Sequence, residues 1–171
     1  MPELSRRRFL IAGGALAASP AFPLAHAAEP ALRMTAAMRS IEVHGRGARV
    51  LGFAEAGGAG FSARAGERFA AGLVNALGEV TRVHLHGLTP PGGSVRPLAG
   101  GQRWTMEVPR PRPGTYWLHA LQGVQAQRLL AAPLILRDPL EAGEDEQEIV
   151  LMLQDFTFRD PRREMAVIDF Y

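Results

Sequence analysis

Short apolar segments, each interrupted by glycine or proline, recur along most of the chain. In several of them apolar and polar side chains alternate, as in Val83-His84-Leu85-His86, where neighbouring side chains of a strand would point to opposite faces. Stretches such as Gly57-Gly58-Ala59-Gly60 and Pro90-Pro91-Gly92-Gly93 supply the turns. Many short strands separated by such turns indicate an all-β sandwich or barrel.

The pattern predicts nine strands. They are Arg39–Val43, Ala48–Phe53, Phe61–Ala63, Arg68–Leu77, Thr81–His86, Arg103–Val108, Gly114–His119, Pro133–Leu136 and Glu148–Leu153. The last is ambiguous, because its continuous apolar run is also consistent with a helix. Residues 122–132 alternate poorly and predict a loop or a helical turn. The charged residues 159–171 predict a tail or the start of an interdomain connection.

The N-terminus has the pattern of an export signal. Residues 5–10 read Ser-Arg-Arg-Arg-Phe-Leu, which resembles the twin-arginine signature, and Ala25-His26-Ala27 resembles a cleavage site. The apolar run between them is far shorter than the roughly 20 residues of a membrane-spanning helix. We therefore expect residues 1–27 to be a twin-arginine signal peptide, with a periplasmic mature protein and no membrane span after cleavage.

The composition argues against a nucleic-acid-binding protein. All 19 basic residues are arginine, and removal of residues 1–27 leaves 16 basic and 16 acidic side chains. The mature chain is thus near neutral, and no basic stripe with interleaved aromatic residues is found in it. The acidic run 141–146 is interpreted as a solvated turn. The length of 171 residues suffices for one domain with a sizeable core.

The chain contains no cysteine. Disulfide bonds and zinc–thiolate sites are therefore excluded. A blue-copper centre is excluded as well, because its strong ligand is a cysteine thiolate.

Two strings carry a family resemblance: Val83-His84-Leu85-His86-Gly87-Leu88 and Gly114-Thr115-Tyr116-Trp117-Leu118-His119-Ala120-Leu121. They resemble the copper-binding strands in the first cupredoxin domain of multicopper oxidases, whose pattern is His-x-His-Gly followed by Gly-Thr-Tyr/Phe-Trp-x-His-x-His. The likeness extends in order over residues 33–158. It implies a cupredoxin-like, plastocyanin-like Greek-key β-sandwich across that range.

The resemblance also implies a set of metal ligands. His84 matches a ligand of the type 2 copper, and His86 and His119 match ligands of the type 3 copper pair. The fourth expected histidine is replaced by Leu121, and the remaining ligands of the family's trinuclear cluster come from a later domain. Copper is therefore the expected cofactor, in an incomplete site. By strand geometry, His84 and His86 lie on one face about 7 Å apart, a spacing suited to two neighbouring metals.

Other conspicuous side chains have simpler interpretations. His44 matches no family ligand and is expected to serve packing or to lie on the surface. Tyr116 and Trp117 are expected to pack in the core and stiffen the strand that carries His119.

Three functions remain open at this point. Multicopper oxidases take electrons from a phenol or a metal ion and reduce dioxygen to water, but this chain lacks the electron-entry copper site and half of the oxygen site. Whether it is an enzyme is therefore left open, and activity would require a second cupredoxin chain or missing domains as partner. The alternatives are a copper-free scaffold or binding protein of the cell envelope, and a truncated remnant of a longer oxidase.

Overall fold

The computed structural model describes residues 30–57, 60–93, 95–141 and 147–168. They form eight strands and one α-helix, α1 (Pro161–Ile168). The strands are β1 (Leu32–Val43), β2 (Arg46–Phe53), β3 (Phe61–Arg64), β4 (Phe69–Asn75), β5 (Val83–His86), β6 (Arg103–Val108), β7 (Gly114–Ala120) and β8 (Ala131–Arg137). The expected signal peptide, residues 1–27, lies outside the described residues.

The strands form two four-stranded sheets, in the orders β2-β1-β4-β6 and β3-β8-β7-β5. Most pairs are antiparallel, whereas β1 with β4 and β3 with β8 are parallel. Strands that follow each other in sequence are therefore often in different sheets, as in a Greek-key arrangement. The all-β sandwich predicted from the sequence is confirmed.

The core lies between the two sheets and follows the period-2 pattern of the strands. Met34 of β1 and Leu73 of β4 face Leu85, Leu118 and Leu134 of the other sheet, and all five side chains belong to one buried cluster. Full burial of such a side chain contributes about 1.5–3 kcal/mol. Because Leu85 and Leu118 are held inward, the residues that alternate with them on β5 and β7 must point outward.

Several strand boundaries differ from the prediction by one or two residues, and the start of β1 differs by seven. β1 begins at Leu32 rather than Arg39, because residues 32–36 pair in parallel with residues 71–75 of β4. β8 begins at Ala131 rather than Pro133, because Ala131 and Ala132 pair with His119 and Leu118. Both extensions depend on distant partners, which a local pattern cannot reveal. Residues 123–129 form turns, as expected for the predicted loop 122–132, but its last two residues, Ala131 and Ala132, belong to β8.

The predicted strand Glu148–Leu153 is wrong. Residues 147–157 have no regular secondary structure, and Ile149, Leu151 and Leu153 are exposed to 69%, 82% and 93%. Within the described part of the chain this run has no partner strand, so its apolar residues have neither a hydrogen-bonded ladder nor a core to face. Downstream, Asp160 begins α1 by accepting a hydrogen bond from the backbone N–H of Arg162 at 3.0 Å. The prediction for residues 159–171 did not include this helix.

Over the residues described, no helix is long and apolar enough to cross a membrane.

Candidate metal centre

Strands β5 and β7 bring the three predicted ligands onto one face. The two strands are antiparallel, with His84 opposite His119 and His86 opposite Trp117. Val83, Leu85, Leu118 and Ala120 are buried, so the histidines occupy the alternate, outward positions. β5 is the last strand of its sheet, which places the histidine face at a sheet edge.

The three imidazole rings are close neighbours. The ring centroids are 5.5 Å apart for His84 and His86, 5.6 Å for His84 and His119, and 5.9 Å for His86 and His119. The His84 ring is nearly perpendicular to both others, at 83° and 87°. The adjacency that the sequence predicts for His84 and His86 is present, and the strand pairing adds His119 to the same group.

His119 carries an unsatisfied ring nitrogen. Its Nε2 is buried and has no hydrogen-bond partner in the structure, whereas its Nδ1 lies 3.3 Å from the carbonyl oxygen of Ala120. If Nδ1 carries the proton and faces that carbonyl, Nε2 presents its lone pair. A buried polar atom without a partner costs about 1–3 kcal/mol. A metal ion is one group that satisfies such an atom.

The surroundings favour neutral imidazoles. Burial lowers the pKa of His84 below its usual value, and the neighbouring His119 and His86 lower that pKa further. Burial also lowers the pKa of His119, opposed in part by the hydrogen bond to the Ala120 carbonyl. Neutral imidazole is the form that binds metal ions, so both residues are predisposed to act as ligands.

Trp117 also belongs to this site, although the sequence analysis predicted that it packs in the core. Its ring stacks on the His119 ring, with centroids 4.1 Å apart and an angle of 18° between the planes, and it is 40% exposed. The prediction that Trp117 packs in the core is therefore wrong. Trp117 and His119 are two positions apart on one strand, so the alternation of side chains already indicated that they share a face.

Tyr116 and Gly87 explain the local shape of the two motifs. Tyr116 packs against the core, as predicted, and its hydroxyl donates a hydrogen bond to the carbonyl of Arg112 at 3.1 Å. Gly87 has a φ of +84°, and a Cβ atom there would lie 2.9 Å from the Tyr116 ring. The glycine after the second histidine is thus required both by the backbone and by the tyrosine.

A buried polar network fixes the start of β5. The side-chain amide of Asn75 donates hydrogen bonds to the carbonyls of Glu79 and Leu98, both at 2.8 Å. The hydroxyl of Thr81 donates to Oε1 of Gln125 at 2.7 Å. Satisfied buried polar groups stabilise one conformation, so the network positions the chain just before His84. Sequence reasoning missed these residues, because single polar side chains in short loops carry no periodic signal.

The set of ligands on this chain is incomplete. Leu121 follows the end of β7 and is 50% exposed, and its backbone N–H donates to the carbonyl of Arg82 at 2.7 Å. Its side chain has no donor atom. Among the described residues, no group of three or more histidine, cysteine, aspartate or glutamate side chains is arranged to hold one metal ion. His44 lies in the β1–β2 turn with a φ of +51°, apart from the site residues in the fold.

The comparisons with known proteins agree on one family. The family model described as multicopper oxidase matches residues 43–141. The chain is 32% identical over 104 residues to multicopper oxidase MmcO of Mycobacterium tuberculosis, which covers 56% of this chain and 20% of that protein. It is 31% identical over 121 residues to a copper resistance protein A homolog of Pseudomonas syringae pv. tomato, covering 63% of this chain and 20% of that protein. The chain thus spans about a fifth of the length of these relatives.

Solved structures give the same result for the fold. Lac15 from a marine microbial metagenome matches 63% of this chain and 32% of its own, with a TM-score of 0.54 and 27% identity. A laccase-like multicopper oxidase, CueO from Ochrobactrum sp., matches 69% of this chain and 29% of its own, with a TM-score of 0.57 and 21% identity. The predicted cupredoxin-like Greek-key β-sandwich is confirmed.

Proposed function

The chain belongs to the multicopper oxidase family, and from this premise we propose that it is a copper-ion-binding, plastocyanin-like domain of an exported multicopper oxidase. The observation that carries the proposal is the group of three imidazole rings on β5 and β7, one of which has a buried nitrogen without a partner. An unsatisfied imidazole nitrogen among other imidazoles is suited to a transition metal.

Each histidine has a distinct part in the proposal. His119 offers its buried Nε2, and its Nδ1 contact with the Ala120 carbonyl orients the ring. His84 lies directly across the strand pair, where burial lowers its pKa, and His86 extends the group toward the exposed end of β5. Bound copper would supply one-electron redox chemistry. The stacked Trp117 ring limits rotation of the His119 imidazole.

The site requires further ligands from elsewhere. The chain has no cysteine for an electron-entry copper, and Leu121 replaces the fourth histidine of the pattern. We therefore propose that a second cupredoxin chain, or further cupredoxin domains, completes the oxygen-reducing site. Electrons from a reducing substrate and dioxygen would react only in that assembly, so the isolated chain is expected to bind copper without oxidase turnover.

Export by the twin-arginine pathway is part of the proposal and rests on residues 5–10 and 25–27. Replacing Arg6 and Arg7 by lysine removes the twin-arginine pair without changing the charge. Cell fractionation should then show the precursor accumulating in the cytoplasm, whereas the natural chain yields a processed periplasmic form. Equal processing of both proteins would argue against this route.

A calorimetric titration with Cu(II) tests the copper site. We expect saturable binding to the metal-free chain, weakened about tenfold or more by His119→Ala and by His84→Ala, since each removes one ligand. The matched control is His44→Asn, because asparagine tolerates the positive φ of the β1–β2 turn. If all four proteins bind copper equally, the copper is not held at the β5–β7 face.

The replacement at Leu121 supports a second candidate function, a copper-free scaffold or binding protein of the cell envelope. A group of three imidazoles can persist on a strand face without binding metal. The titration separates the two functions, because a scaffold would show no saturable binding while retaining the same cooperative unfolding.

A further inference from the structure

A second concave surface lies away from the histidines. It is formed by β2, the turn residues 124–128 and the chain that enters α1, and has a volume of about 620 Å³. None of the three site histidines lines it. We call it the arginine cleft, after the five arginines in its wall: Arg46, Arg49, Arg128, Arg159 and Arg162.

The two carboxylates that line the cleft neutralise only part of the positive charge of these five arginines. Glu79 forms an ion pair with Arg128, with 3.2 Å between Oε1 and Nη1. The Asp160 carboxylate accepts the backbone N–H of Arg162. Glu79 and Asp160 are the acidic residues among those that line the cleft. The cleft therefore carries an excess of positive charge in a chain whose overall charge is close to neutral.

Three of the five guanidinium groups remain available to bind an anion. Arg159 pairs with Glu164 at 3.3 Å, but Arg46, Arg49 and Arg162 form no ion pair with any residue that the structure describes. Guanidinium groups match the geometry of carboxylate and phosphate oxygens and bind them through paired hydrogen bonds. The three arginines line one open volume, Arg46 and Arg49 from β2 and Arg162 from the first turn of α1.

Two phenylalanine rings form an aromatic wall of the cleft, and one of them orients one of these guanidinium groups. Phe156 and Phe158 are in edge contact, with ring centroids 4.9 Å apart, and both line the cleft. The guanidinium carbon of Arg46 lies 4.0 Å from the centroid of the Phe158 ring. This cation–π contact orients the Arg46 side chain. A ligand that binds Arg46 would therefore cost less side-chain conformational entropy. The wall also offers an apolar surface to the carbon skeleton of a ligand.

We propose that the arginine cleft binds a small anion that carries two or more carboxylate or phosphate groups. Its volume falls within the roughly 300–1,000 Å³ typical of small-molecule sites. We expect the ligand to carry several negative groups, because the available guanidinium groups come from β2 and from α1. A monovalent anion would engage only some of them. The N-terminal end of α1, which lines the cleft, adds a weak positive electrostatic potential to that of the arginines. This site is independent of the copper proposal, since it shares no residue with the histidine face.

The test is a calorimetric titration of the metal-free full chain with citrate and, separately, pyrophosphate, each against acetate. At about 0.01 M ionic strength the Debye length is about 30 Å, so the charge interactions are strongest there. We expect saturable binding of at least one multivalent anion and none of acetate. The double variant Arg49→Gln/Arg162→Gln should weaken that binding about tenfold or more. Citrate and pyrophosphate together distinguish a polycarboxylate from a phosphorylated ligand.

Two controls accompany this experiment. Arg103→Gln removes an exposed arginine of β6 that does not line the cleft, and should leave anion binding unchanged. His84→Ala should also leave it unchanged, which separates failure of the cleft from failure of the copper site. The proposal is overturned if no multivalent anion binds, or if the double variant and Arg103→Gln weaken binding equally. Circular dichroism of each variant confirms that the fold is retained.

Discussion

The strand pair β5–β7 and the segment 147–157 are both rich in apolar residues, but only the strand pair has regular secondary structure. In β5 apolar and polar residues alternate, whereas residues 149–153 form one continuous apolar run. In β5 and β7 the residues Leu85 and Leu118 are fully buried, whereas Leu151 and Leu153 are exposed to 82% and 93%. The two histidine strands pair with each other, but the segment has no partner strand among the described residues.

This difference shows that an apolar segment positions its side chains only where a neighbouring strand pairs with it. The buried leucines of β5 and β7 determine which side chains face outward, and these include the three histidines and Trp117. The apolar run at residues 149–153 has no such partner in the described structure, and Ile149, Leu151 and Leu153 are exposed. The proposed copper site therefore depends on packing beneath the histidine face as well as on the motif.

The largest expected effect comes from the core under the histidines. Leu85→Ala removes a buried side chain and leaves a cavity, so the free energy of unfolding should fall by about 2–5 kcal/mol. The matched change Leu151→Ala affects an exposed side chain and should stay within about 0.5 kcal/mol of the natural chain. Denaturation with urea measures both. Equal losses would mean that the segment contributes to the core as much as β5 does.

A gain of function is expected at the position after β7. Leu121→His restores the histidine of the family pattern beside the existing group, and should raise the affinity for Cu(II) about tenfold if the added imidazole reaches the metal. Leu121→Ala is the control for loss of the leucine and should leave the affinity unchanged. An equal change in the affinity of both variants for Cu(II) would contradict this prediction.

Trp117 should report copper binding by fluorescence. Its ring stacks on His119, so a paramagnetic ion on that imidazole would lie close enough to quench its emission. Trp104, in β6 of the other sheet, is the second tryptophan of the chain. Copper should quench the Trp104→Phe variant strongly and the Trp117→Phe variant weakly. The reverse order would place the copper away from the β5–β7 face.

The smallest effect is expected from pH. The pKa values of His84 and His119 are lowered in the folded chain, so the unfolded chain binds more protons as the pH falls. Their contribution to stability is present above the unfolded pKa, near 6.5, and is lost as the pH falls through the folded pKa. The double variant His84→Ala/His119→Ala should show a weaker loss of stability between neutral and acidic pH. Identical pH profiles from thermal melts would disprove this assignment.

Much of the site was predictable from the sequence. The spacing His84-Leu85-His86 places two imidazoles on one outward face, and the family pattern adds His119. The contacts that complete the site were not predictable, because they arise between strands. The stack of Trp117 on His119, the isolated Nε2 of His119 and the Asn75 network each depend on three-dimensional placement.

The fold shows the same limit. Eight of the predicted strands exist, because each has a local pattern and a partner. The parallel pairing that extends β1 back to Leu32 joins residues far apart in sequence, so local propensity could not reveal it. The prediction for Glu148–Leu153 failed for the opposite reason, since a favourable pattern has no partner in the described structure.

The most direct test of the account is electron paramagnetic resonance of the whole chain loaded with one equivalent of Cu(II). We predict a bound-copper spectrum with nitrogen couplings from imidazole that decrease in His84→Ala and in His119→Ala and persist in His44→Asn. A spectrum of unbound aqueous copper, or nitrogen couplings unchanged by removal of both His84 and His119, would contradict the proposal that the β5–β7 face binds copper.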